Sequence, residues 1–144
     1  NKQPQARSAI EKDGLVTCGD VGYFDRDGYL FLCDRSGDMV ISGGVNIYAA
    51  DIEAALVGMP GVNDCAVFGI PDDEYGEKLM AVIQSAPGVI LKEGDVIFYL
   101  RKRLAGFKVP RKFEFRSELP REDSGKIYKR RLRAVHWTEH SRKI

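Results

Sequence analysis

Disulfide and metal chemistry have little to work with in this sequence. Its three cysteines, Cys18, Cys33 and Cys65, are odd in number and lack metal-ligand spacing, so they read as reduced thiols in a cytoplasmic setting. The two histidines, His136 and His140, stand four apart without a third ligand, and no metal site is expected. No apolar run is long enough to cross a bilayer, and no charged-then-apolar leader is present. The chain starts at Asn1 and reads as a piece of a longer protein. An excess of one charge is missing too: 22 basic against 21 acidic side chains give no global pull toward nucleic acid or an anionic membrane. Any basic site must therefore be local. What is there, 44% hydrophobic and 30% charged residues over 144 positions, suits a globular α+β unit with a real core.

Along the chain, residues 1–13 are polar with slight helical spacing and read as a short helix or arm closed by Gly14. Tyr23 to Phe31 places a polar turn ending in Asp27-Gly28 between two aromatic strands, which predicts a hairpin. Leu30–Cys33 and Met39–Ile41 are apolar runs separated by Asp34-Arg35-Ser36-Gly37-Asp38, a strand, a flexible turn and a strand. Gly43-Gly44 then removes two side chains in succession, so that another backbone or a thin ligand can approach closely. Ile52, Ala55 and Leu56 share one helical face, with Gly58 and Pro60 as stops. Val62–Ile70 and Leu79–Gln84 read as strands with a loop over Pro71–Gly76 between them. Val96, Ile97, Leu100 and Leu104 recur at helical spacing up to Gly106, and Lys112–Phe115 alternates as a strand. From Pro120 onward the chain is polar and basic, and it is expected to fray after Leu132.

Several residues could carry chemistry, and each has an ordinary alternative. Lys126 follows Ser124-Gly125 on a polar loop, where it either delivers a positive charge to a phosphate or carboxylate or is a solvated basic turn. The phosphate loop of nucleoside triphosphatases is excluded, because Ile127 stands where a Ser or Thr would reach magnesium. Asp20 could accept hydrogen bonds from a vicinal diol such as a ribose, or cap a turn. Arg35 could clamp a phosphate or hydroxyl group, or pair with Asp34 or Asp38 in solvent. Phe107, Lys108 and Arg111 set an aromatic face beside cations, which suits a nucleotide or a half-buried Phe among solvated charges. Lys126 to Arg133 is basic enough to suggest a nucleic-acid face or simply an exposed helix.

Gly19-Asp20, Asp34-Arg35 with Asp38, Ser42 to Tyr48, Asp51-Ile52-Glu53, Phe107 to Arg111 and Leu119-Pro120 to Gly125-Lys126 stand in a telling order. In it the chain resembles the C-terminal part of the acyl-adenylate-forming superfamily, most closely its acyl-CoA synthetases, from about residue 1 to Leu132. The resemblance implies a small C-terminal domain, a three-stranded sheet with flanking helices plus a two-stranded hairpin. By it, residues 1–34 end a large adenylation domain, 35–133 form a mobile domain and 134–144 a tail.

The resemblance also assigns roles. Asp20 and Arg35 would bind the nucleotide, Ser36, Gly37 and Asp38 would be the hinge, and Lys126 would bridge carboxylate and α-phosphate as acyl-AMP forms. Gly43 and Gly44 would then meet the CoA arm, and we read Phe107, Lys108 and Arg111, by inference rather than by the resemblance, at its nucleotide end. ATP, Mg2+ and CoA would serve the full-length parent, none held tightly by this chain. The partners would be the large domain and a carboxylic acid, with no nucleic acid or membrane. The alternatives are an adenylation domain loading a carrier protein and a non-catalytic basic binding module. Three positions depart from the family pattern: Cys18 in place of the usual Thr, Gly37 in place of a hinge Asp or Lys, and Ala49 in place of Pro.

Overall fold

A computed structural model of the chain describes residues 11–12 and 15–137. The helix or arm read over residues 1–13 falls mostly outside that range, as does His140. Glu11–Lys12 (β1) pairs antiparallel with Leu15–Val16 (β2). The chain divides into two compact units, Asn1–Gly37 and Asp38–Ile144.

The first unit holds the expected aromatic hairpin, Asp20–Phe24 (β3) against Leu30–Arg35 (β4). The Asp25 carboxylate organises its turn by accepting the backbone N–H groups of Asp27 and Tyr29, each at 2.9 Å. Tyr23 stacks on its cross-strand partner Phe31 with ring centroids 5.3 Å apart. Tyr23, Phe24, Leu30 and Leu32 nevertheless stay largely exposed, so the hairpin leaves a broad apolar surface uncovered.

The second unit is built on one antiparallel ladder, Val62–Asp72 (β7) with Gly76–Ser85 (β8). Preceding it are the hairpin Val40–Ser42 (β5) and Val45–Ile47 (β6) and the helix Ala49–Val57 (α1). The helix Glu93–Arg101 (α2) follows and returns the chain to Lys112–Arg116 (β9), which runs parallel to β8. Because β7 occupies one whole edge of β8, the other edge is shared. β9 pairs with Met80–Gln84, and β5 touches it through Ser42 and Gly76. The sequence thus yields strand, turn, strand over residues 30–42, but β4 and β5 do not pair with each other.

Strand periodicity sorts the central ladder onto two buried faces. Cys65, Val67, Leu79, Ala81 and Ile83 point to one face, where Ile52 and Leu56 of α1 and Val96 and Leu100 of α2 cover them. Ala66, Phe68, Ile70, Met80 and Val82 point to the other, covered by Leu119, Ile127 and Leu132. Burial on both faces explains why β7 and β8 read as nearly continuous apolar runs rather than as alternating strands. The loop expected over Pro71–Gly76 is shorter than the sequence suggests. Both strands run almost to the turn, where the Asp72 carboxylate accepts the N–H groups of Glu74 and Tyr75.

Two further expectations are corrected. The helix carrying Val96 ends at Arg101, and Gly106 opens a separate 3-10 turn, Gly106–Lys108, rather than closing the helix. Among the described residues, which reach position 137, the chain stays structured beyond Leu132 rather than fraying there. Lys129–Ala134 forms a helix (α3), and the half-buried Trp137 beyond it donates its indole N–H to the Gly69 carbonyl at 3.0 Å. Gly69 has its own reason to lack a side chain: a Cβ would run into the Glu77 carboxylate.

Candidate functional site

Gly43 and Gly44 form the two-residue turn of the β5–β6 hairpin, with φ of 57° and 79°. Both angles lie in the left-handed region, which glycine adopts at little cost and which suits the twist of a tight hairpin. The Gly43 N–H donates to the Tyr75 carbonyl at 2.9 Å, tying this turn to the β7–β8 turn. Beside it opens a groove of about 230 Å3 whose lining includes Gly43, Tyr75, Lys78, Phe107 and Arg111.

Three of the five residues read as CoA-binding therefore meet at one groove. Gly44 extends outside its lining, and Lys108 turns away to pair with Asp51 of α1 at 2.6 Å. The Arg111 guanidinium lies 4.6 Å from the centre of the Tyr75 ring, a stacked cation at the groove wall. Lys78 reaches the Asp72 carboxylate at 3.2 Å. The Tyr75 N–H, reinforced by Lys78, holds that carboxyl below the usual carboxylate range. Aromatic and aliphatic walls, bare backbone and two cations suit a thin chain ending in an anionic group. Tyr75 and Lys78 were not singled out in the sequence, since their position at the groove depends on the β7–β8 turn packing against Gly43.

Lys126 occupies a second loop. Arg121 and Ile127 pair across it, Glu122 N–H donates to the Lys126 carbonyl at 2.8 Å, and Gly125 N–H donates to the Glu122 carbonyl at 2.8 Å. Gly125 has φ of 83°, a left-handed conformation that a side chain would strain. Lys126 itself is exposed, and its ammonium group makes no hydrogen bond or ion pair among the described residues. Its basic neighbours are engaged: Arg121 with Asp64 at 2.7 Å, Lys129 with Glu53 at 2.8 Å and Arg133 with Asp38 at 3.7 Å. The stretch from Lys126 to Arg133 is accordingly less of a free cationic face than its sequence suggests.

The two loops sit at opposite ends of the central ladder. The Lys126 loop is tied through Arg121 to Asp64, which pairs with Gln84, whereas Gly43 is tied to Tyr75 in the turn beyond Asp72 and Gly76. At about 3.3 Å per residue, the run from Asp64 to Asp72 separates them by on the order of 25 Å.

In the other unit, Asp20 and Arg35 are cross-strand partners at the open end of the β3–β4 hairpin, with Arg35 Nε 3.9 Å from the Asp20 carboxylate. The pair is long and exposed, leaving both groups available for another ligand. Ser36 N–H donates to the Gly19 carbonyl at 2.7 Å, which closes that end of the hairpin. The division between the units falls between Gly37 and Asp38, inside the stretch read as a hinge.

A sequence profile of the AMP-binding enzyme C-terminal domain matches residues 51–126. A feruloyl-CoA synthase from an Amycolatopsis species is 46% identical over 131 residues, which is 91% of this chain and 27% of that protein. A fatty acid–[acyl-carrier-protein] ligase, ScoC, from Streptomyces coeruleorubidus is 42% identical over 92% of this chain and 25% of its own length. Among solved structures, ATP-bound MatB from Rhodopseudomonas palustris superposes with a TM-score of 0.83 at 36% identity, covering 94% of this chain and 27% of that one. The chain spans about a quarter of the length of these proteins.

Proposed function

Since this chain belongs to the AMP-binding enzyme C-terminal domain family, we propose that it is the C-terminal part of an ATP-dependent carboxylate–CoA ligase. The uncovered apolar surface of the β3–β4 hairpin supports a large N-terminal domain in the parent, resting on Tyr23, Phe24, Leu30 and Leu32. In this reading Asp20 and Arg35 bind the nucleotide of ATP, delivered with Mg2+, and residues 36–38 are the pivot on which the second unit turns.

The observation that carries the proposal is the placement of the Lys126 loop and the Gly43-Gly44 groove at opposite ends of one rigid ladder. Separated by on the order of 25 Å, they cannot serve one reaction centre at the same moment. They can serve it in turn. First, a carboxylate oxygen attacks the α-phosphorus of ATP, the bond to the bridging oxygen breaks, and pyrophosphate leaves. Lys126 stabilises the negative charge that builds on carboxylate and phosphate oxygens. After rotation about residues 36–38, the groove beside Gly43 admits the pantetheine arm. The thiol, giving up its proton, then attacks the acyl carbon and AMP departs. Phe107 and Arg111 at the groove wall suit the nucleotide end of CoA.

Thioester transfer to a carrier protein is the second reading, supported by the name of the Streptomyces relative. It uses the same first step and the same groove, since a carrier arm ends in the same pantetheine. The test is AMP and pyrophosphate release by the full-length parent given ATP, Mg2+ and a panel of carboxylic acids, with and without CoA. AMP turnover requiring both an acid and CoA establishes the ligase and its substrate class. Acid-dependent pyrophosphate exchange that ignores CoA transfers the acceptor to a carrier protein.

A further inference from the structure

We propose that Arg121 is a positioning residue for Lys126, an inference that rests on the adenylation role proposed for that lysine. Arg121 uses its planar fork to join the loop to the sheet. Nη1 donates to the Gly125 carbonyl at 2.9 Å, and Nη2 donates to Asp64 Oδ2 at 2.7 Å, with Gln84 Oε1 at 3.5 Å. The anchor is itself fixed. Asp64 Oδ1 accepts the Cys65 N–H at 2.9 Å, and Gln84 donates through Nε2 to the Ser117 carbonyl at 3.0 Å.

The Gly125 carbonyl carbon is bonded directly to the Lys126 nitrogen, so both belong to one peptide plane. Holding that oxygen fixes the plane on one side of the Lys126 Cα, and the Lys126 carbonyl, bonded to the Glu122 N–H at 2.8 Å, ties the other side, so that the backbone from which the side chain leaves is held at both ends. Glycine at position 125 makes such a constraint necessary, because its backbone is the least restricted in the loop. A flexible loop carrying a four-carbon side chain would spread the ammonium group over many positions. With Arg121 in place beside the Glu122–Lys126 bond, the spread of the ammonium group falls chiefly to the Lys126 rotamers. Arg121 suits this task better than a point charge would, since two separate acceptors must be met from one planar group.

Arg121→Ala and Asp64→Ala, made in the full-length parent, test the proposal against an electrostatic one. One removes a cation and the other an anion, yet both release the Gly125 carbonyl from the sheet. Positioning predicts that both lower the turnover of acyl-AMP formation, Arg121→Ala by about 10²-fold. KM for ATP and thioester formation from supplied acyl-AMP are expected to stay unchanged. It also predicts that Arg121→Ala has no further effect once Lys126 is alanine. In both variants, amide exchange at Gly125 quickens while that of Val67 in β7 does not, which separates a loosened loop from a failing fold.

Opposite effects of the two variants would replace positioning by simple charge. Equal loss in both half-reactions, or an additive loss on top of Lys126→Ala, would overturn it. If Lys126→Ala alone leaves acyl-AMP formation intact, the adenylation reading of Lys126 falls and this inference with it. A defect in Lys126→Ala with none in Arg121→Ala overturns this inference alone.

Discussion

The indole N–H of Trp137 donates to the carbonyl of Gly69, sixty-eight residues earlier, in the middle of β7. The bond latches the end of the described chain to the face of the ladder that Leu119, Ile127 and Leu132 cover. Trp137→Phe keeps most of the packing and removes the bond, and should cost about 1 kcal/mol in urea unfolding followed by circular dichroism. Trp137 is also the sole tryptophan, so in the wild-type protein its fluorescence reports docking of this segment directly. A midpoint unchanged in Trp137→Phe would mean that water replaces the bond without loss.

Gly43 and Gly44 differ in what surrounds them. A Cβ at Gly44 would meet open space, whereas one at Gly43 would lie 3.1 Å from the Tyr75 ring. Gly44→Ala should therefore cost only the left-handed strain, about 1 kcal/mol. Gly43→Ala should cost more and displace Tyr75. In the full-length parent, Gly43→Ala is expected to slow thioester formation while acyl-AMP formation persists. Equal denaturation midpoints for the two variants would count against the tight fit at Gly43.

Glu53 is the charged hub between α1, β7 and α3. Its carboxylate accepts the Val67 N–H at 2.6 Å and the Lys129 ammonium at 2.8 Å, with both charged side chains about a fifth exposed. Glu53→Ala strands a backbone donor and a largely buried cation, an expected loss of about 2–4 kcal/mol by chemical denaturation. Adding Lys129→Met to that variant should recover part of the loss, because the unpaired charge is then gone. A further drop in the double variant would show that Lys129 contributes elsewhere.

Burial, with the nearby carboxylates of Glu53 and Asp64, pushes the Cys65 thiol from 9.0 up to about 12. The folded state thus holds this proton more tightly than the unfolded chain does. Its contribution to stability is complete below about pH 9 and drains away as pH rises toward 12. Cys65→Ala should flatten the fall in stability across that window relative to the wild type. Alkylation near pH 8 should modify the exposed Cys18 and spare Cys65. Fast labelling of Cys65 in the native protein would contradict this picture.

Much of the fold could be read from local chemistry. The Asp27-Gly28 turn, the Ile52, Ala55 and Leu56 face and the alternation in Lys112–Phe115 each depend on neighbouring residues, and each became the expected element. The glycine pair and the lysine could be located in the sequence, but each also has an ordinary reading by itself, and only their order among the flanking motifs singles them out. The residues that hold these in place were not legible there. Arg121 and Asp64 lie 57 positions apart, and Glu53 and Lys129 lie 76 apart, so no spacing rule links them before the chain has folded. The stretch from Arg133 to Trp137 differs from its sequence expectation for the same reason: it looks unattached until Gly69 supplies an acceptor for Trp137.

The connectivity of the ladder also sets an order of assembly. β7 and β8 are joined by only Asp73, Glu74 and Tyr75, so their pairing closes a very short loop and can nucleate early. The Lys126 loop gains its anchor in the sheet only by closing long loops back to Asp64 and Gln84. The groove beside Gly43, built against the β7–β8 turn, is therefore expected to form in refolding before the Lys126 loop is held to the sheet.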